Sequence, residues 1–289
     1  MLKGNVLAQE VETLRDFLGV MNSYEEIAAM RMRRVKKSVL DTREFLEGLN
    51  DSFRKVSYAY NKYLEELKGK KEIKTHVLNT NGKTVLVLLS SNTGLYGSVI
   101  ADTFRLFREE VRKVGSNTDI IIVGRLGKKM YDTTDLPKNY RFFDYSDKGV
   151  DEVNLRFILS TILEYSVIVV YHGMFKSILN QVGTKTFVTG KASEIEQKYE
   201  MSEQVNFLFE PSIEVIAEYF EKEILSVIFE QVVFESSFSK FASRMISLYQ
   251  ATQNINNKIM LAEFALRKYK HRLLNSKQQT TLSSMSLWG

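Results

Sequence analysis

Residues that perform acid–base, nucleophilic or metal chemistry are scarce in this sequence. It has no cysteine and three histidines, His76, His172 and His271. The lack of cysteine excludes disulfides, thiolate metal sites and cysteine nucleophiles. No two histidines have metal-ligand spacing, and no serine has the flanking residues of a hydrolase nucleophile elbow. We therefore expect no catalytic residue, no cofactor and no metal site, and we interpret His172, just after an apolar run, as a packed residue.

Glycine-containing segments could instead bind phosphate. Gly82-Lys83-Thr84 resembles the end of a P-loop, but position 77 is Val where that motif needs glycine, and a strand follows the segment instead of preceding it. Gly94-Leu95-Tyr96-Gly97 follows a predicted strand, but it has only two of the three glycines of a dinucleotide-binding turn. We interpret this segment, and Gly124-x-x-Gly127 after it, as tight strand-to-helix turns.

Basic residues form a cluster in each terminal segment. Such clusters could be the solvated flank of a coiled coil, a contact for an acidic protein, or a phosphate-binding surface. Nucleic acid is disfavoured, because we assign the aromatic residues of these segments to an apolar seam and find no known nucleic-acid-binding motif. The two clusters consist of Arg31, Arg33, Arg34, Lys36 and Lys37, and of Arg267, Lys268, Lys270, His271 and Arg272.

The composition is that of a folded chain with a sizeable core. Of 289 residues, 44% are hydrophobic and 26% are charged, and the net charge of +5 is too small to demand a polyanionic partner. The longest apolar runs are about five residues, whereas a membrane helix needs roughly 18 or more. The first residues lack the apolar core of a signal peptide. We expect a cytoplasmic location with no membrane span.

Glycine separates helical termini from a mixed middle. Ten of the 15 glycines lie in residues 82–190, where short β-rich runs alternate with amphipathic segments. This alternation is typical of a Rossmann-like α/β domain with a mainly parallel sheet. The expected division is an N-terminal coiled-coil helix at 1–69, an α/β domain at 70–204 and a C-terminal coiled-coil helix at 205–289.

Both terminal segments carry a heptad pattern. Alternating steps of four and three residues connect apolar positions from Leu14 to Tyr63 and from Phe234 to Leu273. A repeat of 3.5 residues makes helices supercoil around each other. Because the segments flank an inserted domain, we predict a long antiparallel coiled coil. The polar residues within these two seams are Glu25, Thr42 and Thr252.

Four segments resemble motifs of one family. Residues 88–97 are similar to a strand and turn that usually ends Ser-Asp-Arg-Gly-Leu-Cys-Gly-Gly, and residues 207–212 to Tyr-x-Tyr-Glu-Pro-Asp. Residues 243–254 are similar to Ala-Arg-Met-x-Ala-Met-x-x-Ala-Thr-Asp-Asn, the most specific of the four matches. Residues 22–32 are similar to a first-helix motif. Together they resemble the gamma subunit, the central stalk of F-type rotary ATP synthases.

The resemblance implies a rotating shaft that couples ion flow through the membrane to ATP synthesis or hydrolysis. In this family the coiled coil lies in the bore of a hexamer of alpha and beta subunits, and the α/β domain docks on the membrane c-ring, usually with an epsilon subunit. The implied location is peripheral, at the cytoplasmic face of the cell membrane. The implied partner contacts are Met30, Arg31, Arg33, Arg34, Lys36, Lys37, Arg244, Met245, Thr252, Asn254, Lys268, Lys270, His271, Arg272 and Asn275.

The sequence also departs from the family's motifs. Glu25-Glu26-Ile27 replaces Lys-Ile-Thr in the first helix, and Asn92-Thr93 replaces Asp-Arg in the turn. These departures keep alternatives open: the rotor of a specialised ATPase, either an N-type sodium or proton pump or a non-synthetic motor, or a coiled-coil scaffold or nucleic-acid-binding protein. In the last helix, the shaft residues that usually touch the beta subunits align with Arg267, Lys270, His271, Leu274, Asn275 and Lys277.

Overall fold

The computed structural model describes residues 2–67, 80–115, 117–147, 152–189, 210 and 212–285. The elements follow the order expected from the sequence, with long helices at the two ends and alternating strands and helices between them. In chain order they are α1 (Leu2–Leu67), β1 (Thr84–Leu89), α2 (Val99–Val111), β2 (Thr118–Val123), α3 (Arg125–Asp132), β3 (Arg141–Phe143), α4 (Glu152–Ile162), β4 (Val167–Phe175), β5 (Gln181–Phe187) and α5 (Ile213–Met285).

The chain forms two compact units. One contains Met1–Ala29 and Arg244–Gly289, and the other contains Met30–Ser243. Helices α1 and α5 each contribute to both units. The three-part division at 1–69, 70–204 and 205–289 stays a prediction, since residues 68–79 and 190–209 lie outside the described residues, as do His76 and most of the motif at 207–212.

In the unit of residues 30–243, the five strands form one sheet in the order β3-β2-β1-β4-β5. Strands β1, β2, β3 and β4 run parallel, and β5 pairs with β4 in the antiparallel direction. Each parallel neighbour is reached through a helix, because a parallel connection must return the chain to the same end of the sheet. The predicted α/β layer with a mainly parallel sheet is confirmed.

The central strands are buried on both faces, which explains their continuous apolar runs. Leu86 and Leu88 of β1 contribute to one core cluster, and Val85 and Val87 contribute to the other. The first cluster contains Phe107 of α2 together with apolar residues of neighbouring strands. The second contains α4 and the first half of α5, with Ile158, Ile162, Ile224, Ile228, Phe229 and Val232 all nearly inaccessible. The early part of α5 is therefore part of the core of the α/β domain.

Helices α1 and α5 form the predicted antiparallel pair in the unit of residues 1–29 and 244–289. A Cβ atom added to Gly4 would lie 2.6 Å from Cε1 of Tyr269, and Arg15 Nη2 lies 2.7 Å from Glu263 Oε1. Contacts that advance along α1 therefore step backward along α5. Every position of the two heptad seams whose side chain the structure describes is buried or half-buried. The predicted fold class, an antiparallel coiled coil with an inserted α/β domain, is confirmed.

The same seam continues within the unit of residues 30–243. Val35 and Val39 of α1 share a buried cluster with Phe234 and Phe241 of α5. This cluster also contains Tyr96 from the turn after β1. In the described part of the chain, no helix has both the length and the hydropathy that crossing a membrane requires.

Candidate functional site

The turn after β1 lies where the parallel strands end, which is the usual ligand position in open α/β sheets. Leu95 and Gly97 have φ values of 66° and 56°, so the chain turns sharply there. Asp147 Oδ2 accepts hydrogen bonds from the backbone N–H groups of Asn92 and Thr93, both at 2.8 Å, and from the Thr93 hydroxyl at 2.9 Å. In a nucleotide-binding turn, backbone N–H groups donate to a phosphate. Here the carboxylate of the chain itself takes these donors, which supports a structural turn.

Helix α3 begins against this turn. Gly124 has φ of 98°, and a Cβ atom there would lie 2.8 Å from the backbone nitrogen of Ser91. A Cβ atom on Gly127 would lie 2.6 Å from Cβ of Ser90. A side chain is therefore excluded at Gly124 by the backbone of Ser91 and at Gly127 by the side chain of Ser90. This geometry agrees with the tight strand-to-helix turn predicted for these glycines.

Arg125, at the start of α3, forms an ion pair with Asp144 and a hydrogen bond with Asn92 in the turn after β1. Arg125 Nε donates to Asp144 Oδ2 at 2.9 Å, and the Arg125 backbone N–H donates to Asn92 Oδ1 at 2.9 Å. Hydrogen bonds from Arg125, and then from Asn92, lower the pKa of Asp144 below its ordinary value. Because these groups are largely exposed, their electrostatic contribution to stability is small. Their contribution is to fix the geometry of the edge.

Helix α5 is bonded directly to the turn after β1. Lys240 Nζ donates to the backbone carbonyl of Ser90 at 2.9 Å and lies 4.0 Å from Asp147 Oδ1. Ser243 Oγ donates to the backbone carbonyl of Tyr96 at 2.7 Å. Neither Lys240 nor Asp147 was predicted from the sequence as a functional residue. The available signal was a lysine between the apolar seam positions Phe238 and Phe241, where a charge needs a partner.

His172 is a packed residue, as predicted. It is 1% exposed. Its Nδ1 lies 3.0 Å from the Gly173 carbonyl oxygen, and its Nε2 lies 2.9 Å from the Thr186 hydroxyl oxygen. Both ring nitrogens are therefore within hydrogen-bond distance of groups of the sheet.

The first basic cluster faces solvent in the unit of residues 30–243. Arg33, Arg34, Lys36 and Lys37 are exposed or half-exposed. Arg31 is half-buried, with its Cζ atom 6.0 Å from the centre of the Phe241 ring, a distance that permits a cation–π contact. Four cations on neighbouring turns of one helix therefore form a surface suited to an acidic protein.

The second basic cluster lies in the unit of residues 1–29 and 244–289. Its side chains are largely exposed: Arg267, Lys268, Lys270, His271 and Arg272. On α5, the half-buried seam residues Leu266, Tyr269 and Leu273 alternate with these cations. The cations therefore occupy the outer side of the helix pair.

Comparison with known proteins assigns the family. A family model described as ATP synthase matches residues 5–272, which is most of the chain. The chain belongs to the ATP synthase family. The resemblance predicted from residue motifs is thereby confirmed.

The curated relatives of this ATP synthase chain are gamma chains. The ATP synthase gamma chain of Cytophaga hutchinsonii is 23% identical over 271 residues, covering 84% of this chain and 87% of the relative. That of Desulforamulus reducens is 22% identical over 283 residues, covering 96% of each chain. The predicted gamma-subunit identity and the role of rotor shaft are confirmed, and identities this low mark a divergent member.

A solved structure supports the fold of this gamma chain. A chain from the central stalk and c-ring of the Tetrahymena thermophila mitochondrial ATP synthase aligns with a TM-score of 0.56 and 18% identity. The alignment covers 80% of this chain and 99% of the other. The likeness shows that the two chains share one fold.

The other predicted contact residues of this gamma chain fall into two groups. Met30, Asn254 and Asn275 are exposed and accessible to a partner. Arg244 and Met245 are half-buried, and Thr252 is 9% exposed. Met245 and Thr252 are seam positions, so their side chains pack within the helix pair. Contact of these residues with other subunits stays a prediction.

The assignment of aromatic residues to the seam was wrong for part of this gamma chain. Phe17 and Tyr24 of α1 are 54% and 48% exposed, and Tyr249 and Phe264 of α5 are 52% and 61% exposed. A heptad repeat defines only the seam positions, so it does not predict whether apolar residues elsewhere on the helices are buried. Phe17, Val20, Tyr24 and Ile27 each precede a seam residue and form a second, exposed stripe. Exposed apolar stripes are typical of protein contacts.

Proposed function

We propose that this gamma chain is the central shaft of a membrane-bound rotary ATPase, with its helix pair in the bore of a hexamer of alpha and beta subunits. The proposal rests chiefly on the antiparallel pairing of α1 and α5 in a chain matched by the ATP synthase family model over residues 5–272. Supercoiled helices resist twisting and present a different surface at each angle of rotation. Each catalytic interface would therefore meet different contacts as the shaft turns.

The two basic clusters are the proposed contacts with acidic loops of the hexamer. Their exposure supports this role, because complementary charge guides association and opposes incorrect seating. The exposed stripe of Phe17, Val20, Tyr24 and Ile27 would supply apolar contact in the same sleeve.

The α/β domain is proposed to dock on the membrane c-ring. The Tetrahymena thermophila structure comprises the central stalk and the c-ring of that ATP synthase. The same association in this protein would place the chain peripherally at the cytoplasmic face of the cell membrane. An epsilon-like subunit would share this end of the shaft.

A specialised rotor is the second candidate function. Six residues stand where the family's usual beta-contacting shaft motif aligns, and most of them are exposed. The family motif at these positions usually reads Asn-x-x-Arg-Gln-x-x-Ile-Thr-x-Glu, so Arg267 in place of Asn and Lys277 in place of Glu make the surface more basic. Such a surface would bind a more acidic sleeve. The six residues are Arg267, Lys270, His271, Leu274, Asn275 and Lys277.

Affinity purification of the tagged full chain from its own cells tests the proposal. We expect two kinds of P-loop subunit, each in threefold excess over this chain, together with nucleotide hydrolysis in the eluate. Ion dependence of that hydrolysis would then identify the coupled ion, and ATP synthesis under an imposed ion gradient would separate a synthase from a specialised pump. Recovery of the chain alone, or with nucleic acid, would contradict the shaft function.

A further inference from the structure

A buried polar cluster connects α5 to the sheet, outside every surface proposed above to contact a partner. We define the Lys240 cluster as Ser90, Asn92, Thr93, Asp147 and Lys240. We infer that Lys240 is a positioning residue that fixes α5 to the turn after β1, so that a turning force on the α/β domain passes into α5. This inference rests on the proposed shaft function.

The burial of Lys240 shows that it acts within the chain. The residue is 7% exposed, and the side chains of Lys240 and Asp147 are 8% and 7% exposed. A partner subunit could not reach either charge in this conformation. Burying a charge is costly unless it is paired and hydrogen-bonded. Contacts that reduce this cost include the hydrogen bond to the Ser90 carbonyl at 2.9 Å and the ion pair with Asp147 Oδ1 at 4.0 Å.

Asp147 transmits the contact from Lys240 to the turn. Its Oδ2 atom accepts from Asn92 and Thr93, while its Oδ1 atom faces Lys240. A small cavity of about 10 Å³ lies beside the two charges, with Ser146 and Ser237 in its wall. The carboxylate is therefore hydrogen-bonded to the turn through Oδ2, and its Oδ1 lies within ion-pair distance of the helix without a hydrogen bond.

Neighbouring contacts hold the same segment of α5. Ser243 Oγ donates to the Tyr96 carbonyl at 2.7 Å. A Cβ atom on Gly173 of β4 would lie 2.9 Å from Ser239 Oγ and 3.4 Å from Ser239 Cβ. Within five residues, α5 therefore meets the turn after β1 and the neighbouring strand β4.

Directional bonds suit this position better than apolar packing alone. Apolar contacts are non-directional, so they resist separation of two surfaces more than sliding or rotation. One residue along an α-helix corresponds to about 100° around its axis, because a turn contains 3.6 residues. A rotation of that size would remove the Lys240 ammonium from the Ser90 carbonyl. The bonds therefore oppose rotation of α5 against the sheet.

Lys240→Met in the full chain, assembled in its complex, tests the role. We expect nucleotide hydrolysis to stay close to wild type while ions moved per nucleotide hydrolysed fall by about fivefold or more. Lys222→Met is the matched control on the same helix, since the Lys222 side chain is 52% exposed. The double variant Lys240→Met/Asp147→Asn, which removes both charges of the Lys240 cluster, should show the same loss.

A covalent rescue separates coupling from folding. The chain has no cysteine, so Gly173→Cys/Ser239→Cys would create its only disulfide. Val99→Ala accompanies the cysteine pair, because a Cβ atom on Gly173 would otherwise lie 2.8 Å from Val99 Cγ2. The 3.4 Å separation is close to the Cβ spacing of disulfides, about 3.5–4.5 Å. In the Lys240→Met background we expect the oxidised bond to restore coupling and a reductant to abolish it. Unchanged coupling in Lys240→Met would overturn the inference. So would a disulfide that fails to restore coupling in Lys240→Met, provided that the cysteine variant without Lys240→Met couples normally.

Hydrogen exchange of the full chain distinguishes failure of this inference from failure of the proposed function. In Lys240→Met, the Asn92 and Thr93 amides should exchange about tenfold faster, and the disulfide should slow them again. Unchanged exchange at these amides would contradict the positioning role of Lys240, whichever partner subunits are recovered. If exchange is faster but purification recovers no P-loop subunits, the positioning role of Lys240 is supported and the proposed shaft function is contradicted.

Discussion

Single residues show how this gamma chain uses charge for two purposes. Arg33 and Arg34 lie on the accessible side of α1, where they can meet another subunit. Lys240 and Asp147 are buried and hold two elements of one unit together. Exposed charges contribute little to stability, whereas removing one partner of a buried ion pair is costly. Charge reversal at Arg33 and Arg34 should therefore affect assembly, and charge reversal at Lys240 or Asp147 should affect coupling within the chain.

Arg33→Glu/Arg34→Glu should weaken assembly or coupling, because it reverses two charges that face the acidic loops that we propose as partners. We expect the amount of hexamer recovered with the chain to fall by about tenfold. Arg112→Glu/Lys113→Glu, an exposed neighbouring pair at the end of α2, makes the same change in charge and should not affect recovery. Equal assembly and ATPase activity in both variants would refute the contact.

Tyr131 should make stability depend on alkaline pH. Burial raises its pKa from 10.0 to about 12, and its hydroxyl donates to the Pro137 carbonyl at 2.8 Å. The folded state favours the neutral phenol, so its stabilisation is complete below about pH 10 and is lost as the pH rises through about 12. Urea unfolding should show a smaller decrease over this interval in Tyr131→Phe than in wild type. Identical decreases would show that Tyr131 titrates normally.

At the scale of elements, α5 has two environments along one helix. Ile224 and Ile228 lie in the core against the sheet, whereas Ile259 and Ala262 lie in the seam with α1. Stability of the α/β domain should therefore depend on the first half of α5, and seating in the hexamer on the second half. Two changes in the same helix test these contributions separately.

Ile228→Ala should destabilise the fold by about 2–5 kcal/mol, because the side chain is 1% exposed between α5 and the sheet. Val215→Ala on the same helix removes an apolar side chain that is 52% exposed, and it should change stability by less than about 0.5 kcal/mol. Denaturant unfolding of the full chain measures both values. Equal effects would show that this part of α5 does not pack as described.

Removal of residues 280–289 should leave the α/β domain folded but weaken seating in the hexamer. The described residues of this segment, 280–285, are exposed and include Leu282 and Met285 at 67% and 69% exposure. Their loss removes surface that a sleeve would cover and little that the chain itself buries. Hydrogen exchange of the sheet should match wild type, while binding to the hexamer falls. Equal binding after truncation would argue against a contact between residues 280–289 and the hexamer.

At the scale of the whole molecule, periodic features could be predicted from the sequence and contacts between distant residues could not. The seams from Leu14 and from Phe234 repeat locally, so counting residues identified them and their antiparallel pairing. The hydrogen bond between Lys240 and Ser90 joins residues that are 150 positions apart in the sequence, and no local sequence pattern predicts it. Exposure of Phe17 also escaped prediction, because it depends on the width of the buried face and not on the repeat alone. Membership of the ATP synthase family came from short motifs, which require residue identity as well as period.

The position of α5 after the sheet strands has a consequence during synthesis. Ribosomes release α1 and the strands before residues 224–233, which cover one face of that sheet. Until those residues emerge, α4 alone covers this face of the sheet, and the seam of α1 lacks its partner helix. Nascent chains with such uncovered surfaces aggregate readily. Folding must therefore wait until α5 has been translated, and a chaperone that shields apolar segments would protect the chain through that interval.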